Sequence, residues 1–144
     1  MKTAVPTFLV AEDDADDFLF FERAVAREFE ADLRRARDGE EAITYLKGEG
    51  EFADRVAFPL PDLVVLDLKM PRVNGFEVLT WLRAHEHLGS LPVVIFTSSD
   101  DPGDMERAKA LGVAAYLVKP TSILAYSQVV KSLRELWMAA IGVA

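Results

Sequence analysis

Short apolar runs that end abruptly in a polar side chain are the feature that most constrains the fold of this chain. The run 63–66 is apolar throughout and is followed by Asp67. Three further runs behave in the same way: 8–11 before Glu12 and Asp13, 93–96 before Thr97, and 116–118 before Lys119. Such runs are typical of strands buried on both faces of a parallel sheet. Because the carboxyl ends of parallel strands share one edge, these polar residues are predicted to converge.

Strand-like and helix-like segments alternate along the whole chain. Predicted strands cover about residues 7–11, 32–37, 62–67, 92–97 and 114–118, and predicted helices cover about 15–29, 39–47, 75–86, 102–111 and 122–140. Five such βα units predict a doubly wound α/β sandwich with right-handed crossovers and a ligand site at the carboxyl ends of the strands. The stretch from Gly48 to Pro61 is expected to be an extended surface connection.

Length and composition indicate one cytoplasmic domain. The 144 residues are 51% hydrophobic, which suits a single domain spanning 1–144 with a core at about 7–140 and no output domain. A net charge of −8 without a basic cluster disfavours nucleic-acid binding. The chain shows neither a signal peptide nor an apolar stretch of the ~20 residues that span a bilayer, so no membrane association is expected. Cysteine is absent, which excludes disulfides and thiolate metal sites.

The acidic residues at two strand ends predict a divalent metal site. Glu12, Asp13 and Asp67 would offer three carboxylates to one point. Hard oxygen ligands with room for waters and a phosphate oxygen suit Mg²⁺ best, and Mn²⁺ is a reasonable substitute. The alternative is that Glu12, Asp13 and Asp14 only cap a helix, a placement that is stabilising in itself.

Asp67 is the candidate nucleophile, because a carboxylate beside a metal can accept a phosphoryl group as an acyl phosphate. Its alternative role is that of a third metal ligand without covalent chemistry. Thr97 could donate a hydrogen bond to a phosphoryl oxygen, and Lys119 supplies a compact positive charge. Lys119 precedes Pro120, so a cis peptide that aims the lysine into the site is a hypothesis. His85 and His87 are expected to be surface residues.

In its ordered motifs the chain resembles the receiver domain of two-component response regulators over about residues 7–140. The motifs are FLVAEDD at 8–14, VVLDLKMP at 64–71, NGFE at 74–77, VIFTS at 94–98 and YLVKP at 116–120. The resemblance implies a flavodoxin-like (βα)5 fold with a parallel five-stranded sheet in the order 2-1-3-4-5. It further implies a switch that catalyses only its own phosphorylation and dephosphorylation, and not a turnover enzyme.

The resemblance also assigns roles to individual residues. Asp67 matches the phosphoacceptor, Asp13 and Asp67 would bind Mg²⁺ directly, Glu12 would bind it through water, and the backbone carbonyl of Lys69 would be a further ligand. The remaining roles concern the phosphate and the switch: Thr97 matches the switch hydroxyl, Lys119 the site lysine and Tyr116 the aromatic rotamer switch, with a cis bond between Lys119 and Pro120.

A finer resemblance is to single-domain response regulators associated with bacterial phytochromes. It rests on the long connection 48–61, the segment 97–101 and a last helix that ends near Trp137. The implied partners are a sensor histidine kinase, which the finer resemblance makes a phytochrome kinase, and a downstream protein. Two departures from the family pattern are Lys69, a basic residue beside the site, and Thr121, where many receivers have an aromatic residue.

Two outputs and two other function classes remain open at this point. The chain could pass its phosphoryl group to a histidine phosphotransfer domain, or form a homodimer through its fourth helix, fifth strand and fifth helix. A phosphohydrolase with an Asp nucleophile is disfavoured, because Lys69 stands where such enzymes carry a second Asp. A flavin carrier is disfavoured because Glu12, Asp13 and Asp14 would repel a phosphate dianion.

Overall fold

The computed structural model describes residues 5–140. The five strands are β1 (Thr7–Ala11), β2 (Asp32–Ala36), β3 (Leu63–Leu66), β4 (Val93–Thr97) and β5 (Ala115–Val118). The five α-helices are α1 (Ala15–Glu28), α2 (Gly39–Lys47), α3 (Gly75–Ala84), α4 (Pro102–Ala110) and α5 (Ile123–Ala140), and a short 3-10 helix covers Gly50–Phe52. Every predicted strand and helix is present, and their ends lie within two residues of the predicted ends. No helix in the described range is long and apolar enough to cross a bilayer.

All pairings in the sheet are parallel, in the order β2-β1-β3-β4-β5, which confirms the predicted flavodoxin-like topology. The register brings the strand ends to one level. Ala11 pairs with Leu66, so the residues that follow β1 and β3 leave the sheet side by side. Thr97, the last residue of β4, pairs with Val118, so Lys119 emerges beside it.

The two faces of the sheet bury separate apolar clusters. One face packs against α2, α3 and α4, and the other packs against α1 and α5. Alternation along β1 shows the division, because Leu9 belongs to the first cluster while Phe8 and Val10 belong to the second. The central strands are buried on both sides, which explains why their sequences are apolar throughout.

Polar caps start the helices that surround the strand ends. Asp14 accepts hydrogen bonds from the backbone N–H groups at the start of α1, and Asn74 forms a capping box with Glu77 at the start of α3. Gly75 follows directly, and a Cβ at this position would overlap the carbonyl oxygen of Asp67. Helix α3 therefore begins in close contact with the end of β3, which only glycine permits.

The segment between α2 and β3 is a folded loop rather than the extended connection that its composition predicts. Phe52 and Phe58 pack against Tyr45 of α2, with ring centroids 5.0 and 6.2 Å from that of the tyrosine. The guanidinium of Arg55 donates hydrogen bonds to carbonyl oxygens of Tyr45, Leu46 and Phe58. These contacts satisfy carbonyls at the end of α2 and hold the loop to that helix.

The apolar residues of α5 mostly cover the sheet. Tyr126, Val130 and Leu133 are buried, and the ring of Trp137 lies edge-on to Phe8 with a centroid distance of 5.6 Å. These side chains of α5 therefore belong to the core and are not free to form an interaction surface.

Candidate functional site

Three carboxylates meet at the carboxyl edge of the sheet. Glu12, Asp13 and Asp67 each place an oxygen within 4.8 Å of the others. Glu12 and Asp67 are buried, with 3% and 5% of their surface exposed, while Asp13 is open to solvent. The cluster is thus closed on the protein side and open on one side to water and to a larger ligand.

Backbone hydrogen bonds that continue the sheet hold two of these residues. The N–H of Glu12 donates to the carbonyl of Ala36 at 2.9 Å, and that of Asp67 donates to the carbonyl of Ala11 at 3.1 Å. The Glu12 side chain also accepts from the N–H of Asp14 at 3.1 Å. The site therefore rests on the rigid central strands and not on a loose loop.

Lys119 lies at the centre of the acidic groups. Its Nζ is 2.6 Å from Oε1 of Glu12, 2.8 Å from Oδ2 of Asp67 and 2.9 Å from Oδ2 of Asp17. Burial alone would lower the pKa of Lys119, but the hydrogen bonds that its ammonium donates to Asp67, Glu12 and Asp17 outweigh burial and raise that pKa above its usual value. The lysine is therefore a permanent positive charge at physiological pH.

Glu12 is the carboxyl most affected by its surroundings. Burial raises the pKa of Glu12 to about 7, although hydrogen bonds from Lys119 and from the backbone of Asp14 act in the opposite direction. The single positive charge of Lys119 does not neutralise the three clustered carboxylates, so the site attracts a proton or a cation.

The Lys119–Pro120 peptide is trans, since the described residues contain no cis peptide bond. The prediction of a cis bond is therefore wrong for this structure. Lys119 reaches the site without it, because its N–H donates to the carbonyl of Thr97 at 2.7 Å and so prolongs the β4–β5 pairing. From that position the four-carbon side chain is long enough to reach Asp67.

Thr97 and Tyr116 are connected through the loop after β4. Thr97 is fully buried, and its Oγ1 accepts a long hydrogen bond of 3.4 Å from the N–H of Ser99. The hydroxyl of Tyr116 donates to the carbonyl oxygen of Ser99 at 2.9 Å. The Ser99 hydroxyl in turn donates to Asp104 of α4 at 2.6 Å. Ser99, which the sequence did not single out, therefore joins the end of β4 to both Tyr116 and α4.

Arg35 is a second residue that sequence reasoning missed. Its guanidinium donates to the carbonyl oxygens of Glu12 and Asp13, both at 3.1 Å, and lies 5.6 Å from the ring centroid of Phe18. It thereby fixes the backbone that carries two of the three clustered carboxylates. The only signal in the sequence is a charged residue inside a predicted strand.

The two histidines and Lys69 complete the list of residues that the sequence singled out. His85 and His87 are exposed at the end of α3, which confirms that they are surface residues. The Lys69 side chain is also exposed, and its N–H donates to Oδ1 of Asp67 at 3.3 Å. Metal ligation by the Lys69 carbonyl stays a prediction.

The donor set fits a hard divalent cation. Carboxylate oxygens that approach one point from β1 and β3, with an open side for waters, match the preference of Mg²⁺ or Mn²⁺. Oδ2 of Asp67 contacts Lys119, so an anionic group joined to Asp67 would lie beside the lysine charge and beside any cation that the carboxylates hold. The arrangement suits the binding and transfer of a phosphoryl group.

Comparisons with known proteins agree with this geometry. The family model for the response regulator receiver domain matches residues 8–131. The structure is similar to that of RPA3017, a response regulator in red light signaling of R. palustris, with a TM-score of 0.85 and 40% identity over 97% of this chain and 96% of the other. The phosphorylated cyanobacterial phytochrome response regulator RcpA gives a TM-score of 0.86 and 31% identity, over 95% and 96% of the two chains.

A third similar structure contains a metal. It is the Mn²⁺-bound form of the response regulator Rcp1, with a TM-score of 0.84 and 26% identity over 96% of this chain and 99% of the other. By sequence, Rcp1 of Synechocystis is 29% identical over 133 residues, which are 92% of this chain and 88% of the relative.

Proposed function

Because this chain belongs to the response regulator receiver family, we propose that Asp67 is its phosphoacceptor in two-component signal transduction. An oxygen of Asp67 attacks the phosphorus of a phosphohistidine on a sensor kinase. The new P–O bond forms as the P–N bond breaks, and the departing imidazole takes up a proton. The contact of 2.8 Å between Lys119 Nζ and Asp67 Oδ2, beside the three clustered carboxylates, carries the proposal.

A divalent cation held by Asp13 and Asp67, with Glu12 acting through water, would supply positive charge to the transferring phosphoryl group. We propose Mg²⁺ as that cation, because it is the hard cation most often used with phosphates, and Mn²⁺ as a substitute. The carbonyl of Lys69 is proposed as a further ligand. Lys119, which contacts Glu12 and Asp67, provides the remaining positive charge.

The proposed switch starts at Thr97. A phosphoryl group on Asp67 adds about two negative charges and three acceptor oxygens, so it favours an arrangement in which the Thr97 hydroxyl donates to it. Such a shift would weaken the contact between Thr97 and Ser99, and Ser99 also holds Tyr116 and Asp104. The signal would therefore reach α4 and β5 through one residue.

The direct test is phosphorylation by a small acyl-phosphate donor in the presence of Mg²⁺, followed by intact-mass spectrometry. We expect one base-labile phosphate per chain, located on Asp67, that does not form when the metal is chelated before the donor is added and does not form in the Asp67→Asn variant. Full modification of Asp67→Asn would exclude Asp67 as the acceptor. Rapid turnover of many donor molecules per chain would instead favour a phosphohydrolase.

We propose a bacteriophytochrome-type histidine kinase as the phosphoryl source, supported by the similarity to RPA3017 and RcpA. Since the kinase makes its phosphohistidine from ATP, the chain is proposed to work in the cytoplasm. Initial transfer rates from purified candidate kinases would identify the partner. Equal, slow transfer from every kinase would argue against this source.

Two outputs are compatible with the site. Asp67 could pass its phosphoryl group to a histidine phosphotransfer domain, or phosphorylation could favour a homodimer through α4, β5 and α5. Exposed apolar side chains at the end of β5 and the start of α5, namely Val118, Ile123 and Leu124, favour the second output. Neither output requires nucleic acid or a membrane.

A further inference from the structure

All three donors of the Lys119 ammonium are already engaged. An ammonium group has three N–H donors and no acceptor. Nζ donates hydrogen bonds to Asp67 at 2.8 Å and to Asp17 at 2.9 Å, and its third side faces the Glu12 carboxylate at 2.6 Å. A phosphoryl oxygen that needs a hydrogen bond from Lys119 must therefore displace one of these carboxylates.

Asp17 differs from the other two partners. It comes from the first turn of α1, and 33% of its side chain is exposed, compared with 4% for Glu12 and 6% for Asp67. It is also not part of the three-carboxylate cluster at the metal site. Because water can solvate a released Asp17 but not a released Glu12, Asp17 is the partner that Lys119 gives up most easily.

We propose that Asp17 is a positioning residue that competes with the phosphoryl group for Lys119 and so slows phosphorylation. The proposal rests on Asp67 as phosphoacceptor. While Asp17 accepts one N–H, the ammonium is drawn toward α1 and its charge is divided among three carboxylates. Removal of the Asp17 charge leaves that donor for an oxygen of the incoming phosphoryl group, where negative charge must be stabilised.

The test compares Asp17→Asn with Asp16→Asn. Asp16 is the preceding residue in the same helical turn, is exposed and is not a partner of Lys119, so its substitution removes an equal charge nearby. With a small acyl-phosphate donor and constant Mg²⁺, we expect Asp17→Asn to accelerate phosphorylation of Asp67 about two- to fivefold, the effect of a partly exposed ion pair. Asp16→Asn should remain near the wild-type rate, and Asp17→Glu should return toward it.

The controls separate this role from a structural one. In urea unfolding, both variants should remain folded under the assay conditions, and Asp17→Asn should be the less stable of the two, because it alone loses an ion pair with Lys119. Such a loss of stability would not accelerate phosphorylation, whereas the proposed role does. Equal acceleration by both variants would show that any loss of negative charge near the site speeds phosphorylation, and it would overturn the proposal. An unchanged or slower rate in Asp17→Asn would overturn it as well. If the wild-type chain is not phosphorylated on Asp67, the proposed function fails instead, and that result is visible before the variants are compared.

Discussion

At the scale of single residues, the site contains more negative charge than its own lysine neutralises. Glu12 shows the consequence, because it is almost fully buried and its pKa is raised to about 7 by that burial. The folded chain without metal therefore binds a proton at Glu12 in a pH range where the unfolded chain, with an ordinary carboxyl pKa of 4.5, has lost it.

This difference in pKa predicts that ionisation of Glu12 lowers the free energy of unfolding as the pH rises, and that Glu12→Gln removes this loss. Below pH 4.5 Glu12 is protonated in both states, so it contributes no penalty. As the pH rises toward 7, the metal-free wild-type chain should lose about 3 kcal/mol of unfolding free energy relative to Glu12→Gln. Urea unfolding with a chelator across this range measures the difference. Glu22→Gln, an exposed acid on α1, is the control, and parallel curves for wild type and Glu12→Gln would contradict the prediction.

At the scale of elements, α4 is attached more by polar contacts than by an apolar face. Ala108 is its only buried residue, and Arg107 lies 4.1 Å from the ring centroid of Phe76 on α3. Its start is tied by the bond between Ser99 and Asp104. A helix held by a few specific bonds can shift without breaking up a core, which suits an element that responds to the site.

Arg83 of α3 holds the far end of α4. Its guanidinium donates to four carbonyl oxygens, those of Gly89, Leu91, Leu111 and Gly112, at 2.9–3.0 Å. Burial lowers the pKa of Arg83, and no carboxylate is among these hydrogen-bond partners. Arg83 is thus a structural clamp, because it satisfies carbonyl oxygens at the end of α4 and in the loop before β4 and holds both to α3.

We expect Arg83→Ala to cost about 3 kcal/mol of unfolding free energy, because several carbonyls lose a charged donor at once. Arg83→Lys should recover only part of this loss, since an ammonium cannot reproduce the planar fork of a guanidinium. Urea unfolding measures both changes. Arg27→Ala, which removes an exposed arginine with one bond of 3.4 Å within α1, should have little effect. A similar cost for Arg27→Ala and Arg83→Ala would disprove the clamp.

At the scale of the whole molecule, one group of exposed apolar side chains lies at the end of β5 and the start of α5. Leu124 is 85% exposed and Ile123 is 56% exposed at the start of α5, close in sequence to Lys119. With a net charge of −8, two copies repel each other at long range, so self-association depends on such apolar contacts.

If phosphorylation favours a homodimer through α4, β5 and α5, a phosphoryl mimic such as beryllofluoride should increase dimerisation of the wild-type chain. Leu124→Asn should weaken that dimer about tenfold, the loss of one apolar anchor at an interface. Leu19→Asn makes the same change at an exposed position of α1 and should leave the dimer intact. Sedimentation velocity measures these equilibria, and a mimic without effect on wild type would favour phosphorelay as the output.

The sequence by itself determined the five strands, the five α-helices and the residues that follow the strands, but not the 3-10 helix at Gly50–Phe52. Buried parallel strands are apolar throughout, and this local pattern shows where Glu12, Asp67, Thr97 and Lys119 leave the sheet. The order of the strands came from the resemblance to a family, because apolar pattern alone does not say which strands are neighbours.

Only the tertiary structure decided how side chains from different elements share their partners. Three contacts depend on distances across the fold. They are the ion pair between Lys119 and Asp17, the hydrogen bond from Arg35 to the Glu12 carbonyl, and the hydrogen bond from Tyr116 to the Ser99 carbonyl. The trans bond before Pro120 has the same origin, since the intrinsic preference between isomers is small and the surrounding contacts select one. Local sequence specifies elements through short-range burial patterns, whereas a hydrogen bond across 102 residues exists only when the whole sheet has formed.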